Sequence, residues 1–281
     1  MTAPNAGEVV VAAQARGHGE GHDYEKGSPH LRHPRLRGMI EQRLADLIRE
    51  AIERNGSCHV IEIGAGHGTF TAFLRAAGAR VTVTEASSAS AEHLRRAFAG
   101  DSSVTVIHDE TGEGILERAE TWDLAVIISV LHHIPDYVSF LDRLQRRISP
   151  GGVIFSVQDP IYYPRRTRTA HRAGRGTYLA WRLLQGNYAR GVATRLRRLR
   201  GVYDETQESD LVEYHVVRQG VDEEAIRDLL AHEFDVELFR YWSTQAPVFQ
   251  RMFERTGLQT DFGFVARGHR TPEREGRSPG R

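Results

Sequence analysis

Two stretches of this chain combine residue types and spacings suited to chemistry. The first is Glu62-Ile63-Gly64-Ala65-Gly66-His67-Gly68. Glycines at three alternate positions allow positive φ and close approach of a ligand to the backbone. A helix that opens after such a loop offers its free N–H groups to a polar or anionic ligand. A dinucleotide loop requires G-x-G-x-x-G, but the residue three beyond Gly66 is Thr69. Glu62, two residues ahead of the first glycine, would repel a pyrophosphate and suits a ligand that carries an ammonium group. The second stretch is Ser129-Val130-Leu131-His132-His133, followed further on by Asp159. A neutral imidazole next to an alcohol or phenol can take its proton, an effect of about 10²–10⁴-fold, and either histidine has the right type and place.

Strands and helices in regular alternation hold these residues. Leu36, Met39, Ile40, Leu44, Leu47, Ile48 and Ile52 recur at three-and-four spacing, which predicts a helix from Pro34 to the Asn55-Gly56 stop. Strands are expected over 58–63, 81–85, 104–107, 123–129 and 153–157, with helices over 69–77, 87–98, 112–120 and 136–148. Asp123 to Ser129 holds a continuous apolar run, the mark of a central parallel strand buried on both faces. Pro150-Gly151-Gly152 is read as the turn ahead of the fifth strand. This rhythm means a doubly wound α/β fold with right-handed crossovers. In such a sheet, cofactors bind outside the C-terminal ends of the strands. After Pro160 the rhythm breaks, with helical spacing from Tyr178 to Leu199. It resumes as a helix over 222–232 and strands over 236–242 and 261–266.

The loop Glu62-Ile63-Gly64-Ala65-Gly66-His67-Gly68 resembles the first motif of the class I S-adenosylmethionine-dependent methyltransferases. The likeness continues through Glu85 at the end of the second strand and Asp109 after the third. It runs on through the fourth-strand motif ending in Leu131-His132-His133-Ile134 and the Ile148-Ser149-Pro150-Gly151-Gly152 turn, covering about residues 55–160 in order. The resemblance implies a Rossmann-like, mostly parallel seven-stranded sheet with a helical cap inserted after the fifth strand. The donor would be S-adenosylmethionine, leaving S-adenosylhomocysteine as product. Glu85 would take the ribose hydroxyls, and Asp109, or its neighbour Glu110, the adenine amino group. Glu62, Gly64, Ala65, Gly66, Gly68, Ala86, Ser129 and Val130 would line the rest of the donor site, and Tyr24 would close over its methionine end. His132, His133 and Asp159 are the catalytic candidates, an arrangement similar to that of some natural-product methyltransferases acting on sugar hydroxyls. The chain lacks the Asp/Asn-Pro-Pro-aromatic sequence typical of enzymes that methylate nucleobase amino groups.

The acceptor site is expected in the cap, about residues 161–220, with Tyr163, Tyr178, Trp181, Tyr214, His215 and Gln219 as substrate-binding candidates. Eleven arginines and no acidic residue lie between Ile161 and Tyr203. They read as solvated helix faces, as a site for an anionic acceptor, or as a surface for nucleic acid or membrane. The 281 residues, 40% hydrophobic and 26% charged with zero net charge, suit one large soluble domain. That balance gives no general case for a polyanion partner, and nucleic acid is disfavoured. One cysteine, Cys58, excludes an internal disulfide, and no metal site is expected. No apolar run reaches the roughly 18 residues of a membrane span, and a cytoplasmic monomer or homodimer is expected. The domain is placed at 29–267, between tails at 1–28 and 268–281. His18 and His22, with His30 just beyond that tail, could suggest metal binding, but their spacing matches no metal site and they are read as solvated.

Overall fold

The computed structural model describes residues 28–184 and 219–268. A short turn of helix α1 (Pro29–Arg32) leads into α2 (Pro34–Asn55). Then come β1 (His59–Ile63), α3 (Thr69–Ala76), β2 (Arg80–Glu85), α4 (Ser88–Ala97) and β3 (Val104–His108). The second half adds β4 (Trp122–Ile128), α5 (Tyr137–Gln145), β5 (Ile148–Pro160) and α6 (Arg168–Leu184), and after the undescribed segment α7 (Glu223–Leu230), β6 (Phe234–Tyr241), α8 (Pro247–Phe253) and β7 (Asp261–Gly268).

The seven strands pair in the order β3-β2-β1-β4-β5-β7-β6. The first five run parallel; β7 is antiparallel to both β5 and β6. The connections turn outward in one direction from β1 and in the other from β4. The β1/β4 boundary is therefore the switch point, and the loops leaving both strands flank its crevice.

Alternation along the strands divides the core into two layers. Val60, Val83, Leu124, Val126 and Phe155 face α2, α3 and α4. Ile61, Ala125, Ile127 and Ile154 face α5 and α7. The unbroken apolar run of β4 follows from burial on both faces. In α2, Ile40, Leu44 and Ile48 form a seam with essentially no exposure, each contributing about 1.5–3 kcal/mol by burial. Gly56, at φ 75°, ends this helix in the left-handed conformation.

Several boundaries differ from expectation. Pro150-Gly151-Gly152 lies inside β5, which begins at Ile148, rather than ahead of it. A Cβ on Gly152 would stand 2.7 Å from Ile148 Cγ2 and 3.0 Å from the Asp123 carbonyl, so the glycine here serves close strand contact. The crossover expected over 112–120 contracts to one 3-10 turn, Gly114–Glu117, because Asp109 Oδ2 captures the Ile115 N–H 3.0 Å away. The helix expected from Tyr178 begins ten residues earlier, at Arg168. Gly174 and Gly176 obscure its pattern, while buried Ala170 and Thr177 hold it down. No helix among the described residues is long and apolar enough to cross a membrane.

Candidate active site

The loop after β1 takes positive φ at all three glycines: 67° at Gly64, 56° at Gly66 and 82° at Gly68. A Cβ on Gly64 would meet Val130 Cγ2 at 2.7 Å, which brings the loop against the exit of β4. The N–H groups of Gly64 and Ala65 both donate to the Thr84 carbonyl on β2, at 2.9 and 3.3 Å.

Glu85 ties this loop to the next turn. Its Oε2 accepts from Gly66 N–H and its Oε1 from Ser87 N–H, each at 2.9 Å. Burial raises the pKa of this carboxyl, and the hydrogen bonds from Ser87, Gly66 and Ala86 pull the other way. Each oxygen retains a lone pair for a further donor. Ala86 is fixed in turn, its carbonyl 3.1 Å from His108 Nε2.

Glu62 is fully enclosed at the end of β1. Thr71 Oγ1, in the first turns of α3, donates to its Oε2 over 2.6 Å. Burial pushes the carboxyl up to about 7, Thr71 opposes this, and the nearby charge of Glu85 adds to it. Among the described residues no cation pairs with Glu62. Asp109 is also buried, held by Thr111 Oγ1 and the Ile115 N–H, each at 3.0 Å, whereas Glu110 is exposed.

The second half of the site depends on two irregularities. Ser129 leaves β4 at φ 60°, and Gln158 forms a bulge in β5 at φ 71°, where the register against β7 shifts. The bulge is held by Gln158 Nε2 donating to Ser243 Oγ at 2.7 Å and by Tyr241 Oη donating to Gln158 Oε1 at 3.2 Å. The next residue, Asp159, is thereby turned towards the end of β4. Its Oδ1 lies 2.7 Å from His132 Nδ1 and 3.1 Å from the His132 N–H, and its Oδ2 accepts from Ser156 Oγ at 3.3 Å. Because an ionised carboxylate only accepts, Nδ1 carries the imidazole proton and Nε2 the lone pair. The His133 ring packs on that of His132 with centroids 4.0 Å apart. Sequence spacing left the two histidines equivalent; the carboxylate partner belongs to His132. On β7, Asp261 sits behind this pair and accepts from Gln158 Nε2 at 3.3 Å. Desolvation pushes its carboxyl up to about 6, against the pull of Arg166 and with the help of Asp159.

His30, read from the sequence as solvated just beyond the N-terminal tail, is instead buried at 7% exposure. Its ring stacks on Phe70 of α3 at 6.1 Å, and burial, aided by the charge of His132, lowers its pKa to about 3. Two prolines, Pro29 and Pro34, bracket it and were the signal for an ordered turn in an otherwise glycine- and histidine-rich stretch. His33 joins the same anchor, its Nε2 2.6 Å from the Thr244 carbonyl.

Of the cap candidates, Tyr163 and Gln219 come together: the Tyr163 N–H donates to the Gln219 carbonyl over 2.6 Å. Arg166 lies over the Tyr163 ring at 4.5 Å. Tyr178 and Trp181 pair with each other on α6, centroids 5.8 Å apart. Tyr24, Tyr214 and His215 lie outside the described residues. Two arginines of the basic run are committed internally: Arg165 pairs with Asp222 at 2.6 Å and with Glu223, and Arg166 donates to the Thr260 carbonyl.

A Rossmann-like sheet in this strand order, with a glycine loop and two acidic strand ends at its switch point, defines the class I S-adenosylmethionine-dependent methyltransferases. A profile of the methyltransferase-domain family matches residues 36–198, and the chain belongs to that family. It is 28% identical over 97 residues to a ubiquinone biosynthesis O-methyltransferase of Chelativorans sp. (strain BNC1), covering 34% of this chain and 38% of that one. A demethylmenaquinone methyltransferase of Clavibacter sepedonicus is 32% identical over 95 residues, with the same coverage. The chain thus matches well under half the length of these curated relatives. Among solved structures, a putative sarcosine dimethylglycine methyltransferase from Galdieria sulphuraria superposes with TM-score 0.54 at 14% identity, over 93% of this chain and 98% of that one. The N-methyltransferase NodS from Bradyrhizobium japonicum WM9, in complex with S-adenosylhomocysteine, gives 0.51 at 14% identity over 94% and 99%.

The residues present fit S-adenosylmethionine. Glu62 is a buried carboxyl with one hydroxyl partner and no cation among the described residues, suited to a neighbouring ammonium. The glycine loop, with positive φ at Gly64, Gly66 and Gly68, brings backbone rather than side chains to the exit of β1. Glu85 and Asp109 are held rigidly at the ends of β2 and β3.

Proposed function

We propose that this chain methylates a hydroxyl group of a small metabolite in specialised metabolism, with S-adenosylmethionine as donor. The observation that carries this reading is the His132–Asp159 pair at the switch-point edge of the sheet. An alcohol or phenol must lose its proton as it becomes the nucleophile, whereas a neutral amine already carries a reactive lone pair. A histidine fixed in one tautomer by a buried carboxylate is the arrangement the first case needs. The O-methyltransferase among the curated relatives supports the same choice, over about a third of the chain.

When bound, S-adenosylmethionine supplies a methyl group on a sulfonium. His132 Nε2 takes the proton from the acceptor hydroxyl as its oxygen accepts that methyl, and Asp159 stabilises the imidazolium that results. Glu85 is assigned to the ribose hydroxyls, Asp109 rather than exposed Glu110 to the adenine, and Glu62 to the ammonium end, directly or through the adjoining loop. The glycine loop and Val130 hold the donor against the acceptor; alignment of this kind supplies roughly 7–11 kcal/mol of the barrier. The segment at 161–220 serves as the cap of a single domain spanning 29–267.

The test follows S-adenosylhomocysteine release across a panel of phenols, glycosides and amines. A hydroxyl acceptor is expected, with His132→Ala lowering kcat by about 10²-fold at unchanged donor affinity. Asp159→Asn, which no longer selects the Nδ1–H tautomer, is expected to follow it. A His132→Ala variant that kept more than about a third of kcat, well short of the loss expected for a base, would remove His132 from the chemistry. An amine acceptor with kcat indifferent to His132 would move the reading to N-methylation.

A further inference from the structure

Gln158 combines a backbone conformation that its residue type disfavours with a side chain bonded through both ends of its amide. At φ 71° it stands in the left-handed region, which a residue with a Cβ rarely enters. Glycine would take that angle freely, yet the position holds a glutamine, buried at 6% exposure. Its Nε2 donates to Ser243 Oγ at 2.7 Å and to Asp261 Oδ1 at 3.3 Å, and its Oε1 accepts from Tyr241 Oη at 3.2 Å. Ser243 is itself fixed. Its N–H donates to Thr260 Oγ1 at 2.9 Å, and that hydroxyl donates back to the Ser243 carbonyl at 3.0 Å. Backbone outliers that their surroundings over-determine in this way collect at functional sites.

The next residue has few bonds of its own. Among the described residues the fully buried Asp159 carboxylate accepts only from His132, through Nδ1 and the N–H, and from Ser156 over a long 3.3 Å. Its aim is therefore set by the backbone on which it stands. Successive residues of a regular strand point to opposite faces, and a bulge re-aims one of them. Here the register against β7 passes from Val157–Gly263 directly to Asp159–Phe262, with Gln158 as the extra residue.

We propose that Gln158 is a positioning residue for the proton transfer: its bonded amide holds the bulge and, through it, keeps the Asp159 carboxylate on His132 Nδ1. This rests on the hydroxyl-methylating reading above. Gln158 touches neither donor nor acceptor and acts only through Asp159. With the amide gone, the bulge relaxes and the carboxylate swings off Nδ1. His132 is then no longer kept in the tautomer whose Nε2 can accept a proton. The kink alone does not suffice, because a backbone free to adopt φ 71° is also free to leave it. Tyr241 and Ser243, which touch neither His132 nor Asp159 by any bond described above, become part of the same brace.

The test uses the full chain, isotope-labelled at the histidine ring nitrogens and loaded with S-adenosylhomocysteine. Nitrogen chemical shifts, read by NMR at a pH where the ring is neutral, distinguish the Nδ1–H from the Nε2–H tautomer. His132→Gln identifies the His132 signals. The wild type is expected in the Nδ1–H form. Gln158→Ala and Gln158→Gly should both mix the two tautomers, since glycine relieves the backbone strain without replacing the amide. Tyr241→Phe, which removes one bond of the brace, should shift part of the population and serves as the test variant if the Gln158 variants do not fold. Turnover gives a second readout. Gln158→Ala should lower kcat by about tenfold to 10²-fold, as a misplaced group does, with S-adenosylhomocysteine affinity unchanged. In an Asp159→Asn background the same substitution should change kcat by less than about twofold, because the residue it acts through is already disabled. The proposal is overturned if Gln158→Ala, or Tyr241→Phe in its place, leaves the tautomer as it is. It is equally overturned if Gln158→Gly keeps the wild-type tautomer, or if the loss in kcat is as large in the Asp159→Asn background. A wild type whose His132 is Nε2–H would overturn the functional reading itself.

Discussion

Replacing Glu62 by Gln isolates the energetic consequence of a carboxyl sealed at the end of β1. Burial moves this group from an ordinary 4.5 to about 7. A tenfold change in proton affinity is worth about 1.4 kcal/mol, so ionised Glu62 costs the folded chain about 3 kcal/mol. The native state holds the proton more tightly than the unfolded chain. The stability this confers is complete below about pH 4.5, is lost as pH rises towards 7, and stays lost above it. Gln is nearly isosteric, still accepts from Thr71 Oγ1 and does not titrate. Urea unfolding of the two proteins should therefore give equal stabilities near pH 4.5 and a difference growing to about 3 kcal/mol in favour of Glu62→Gln above pH 7. Donor binding supplies a second readout. An ammonium near Glu62 favours its ionised form, so calorimetry near pH 6 in buffers of different ionisation enthalpy should show proton release by the wild type and less by the variant. A stability difference that stays flat from about pH 4.5 to 8 would falsify the assignment of the raised carboxyl to Glu62.

Two further predictions concern other parts of the same layer. Glu85→Ala removes the acceptor for the Gly66 and Ser87 N–H groups as well as the proposed ribose contact. Affinity for S-adenosylmethionine is expected to fall at least about tenfold, or about 1.4 kcal/mol, with a lowered Tm; calorimetry showing unchanged affinity would sink the ribose assignment. Cys58 is buried, and desolvation pushes its thiol up to about 12. Native protein should therefore resist an aromatic disulfide reagent near pH 8 and react only as fast as the chain opens, whereas denatured protein reacts at once. Rapid labelling of the native state would mean that the α2–β1 junction opens locally.

The sheet was legible because burial writes directly into residue type. The β-branched run of β2, the two-faced apolar run of β4 and the three-and-four seam of α2 each imply one conformation with little help from elsewhere. The glycine loop was legible for the same reason, since three positive φ values leave little choice of residue. The pairing of His132 with Asp159 was not. It needs the bulge at Gln158, a residue without the usual mark of a left-handed conformation, held there by Tyr241 at the end of β6 and Ser243 just after it. His30 was missed because its stretch resembles a solvated tail in composition, and only tertiary contact with Phe70 reveals otherwise. The early start of α6 was hidden by glycines that the surrounding contacts tolerate.

The position of β7 has a consequence for the order in which the molecule comes into being. This strand enters between β5 and β6, yet it is made after both. While a ribosome is still translating the segment before Asp261, β5 presents an open edge and β6 has no neighbour on the side β7 will take. An unpaired edge of this kind is a template for association with other chains. Gln158 also lacks its contact with Asp261 at that stage, so the bulge that aims Asp159 at His132 is not fully braced. The nascent protein can assemble the glycine-loop half from β1, β2 and β3 early, but the half that holds His132 and Asp159 matures only when residues 261–268 have cleared the exit tunnel. Loss of those few residues would thus strike the His132–Asp159 pair, the proposed proton-transfer site, while leaving the glycine loop in place.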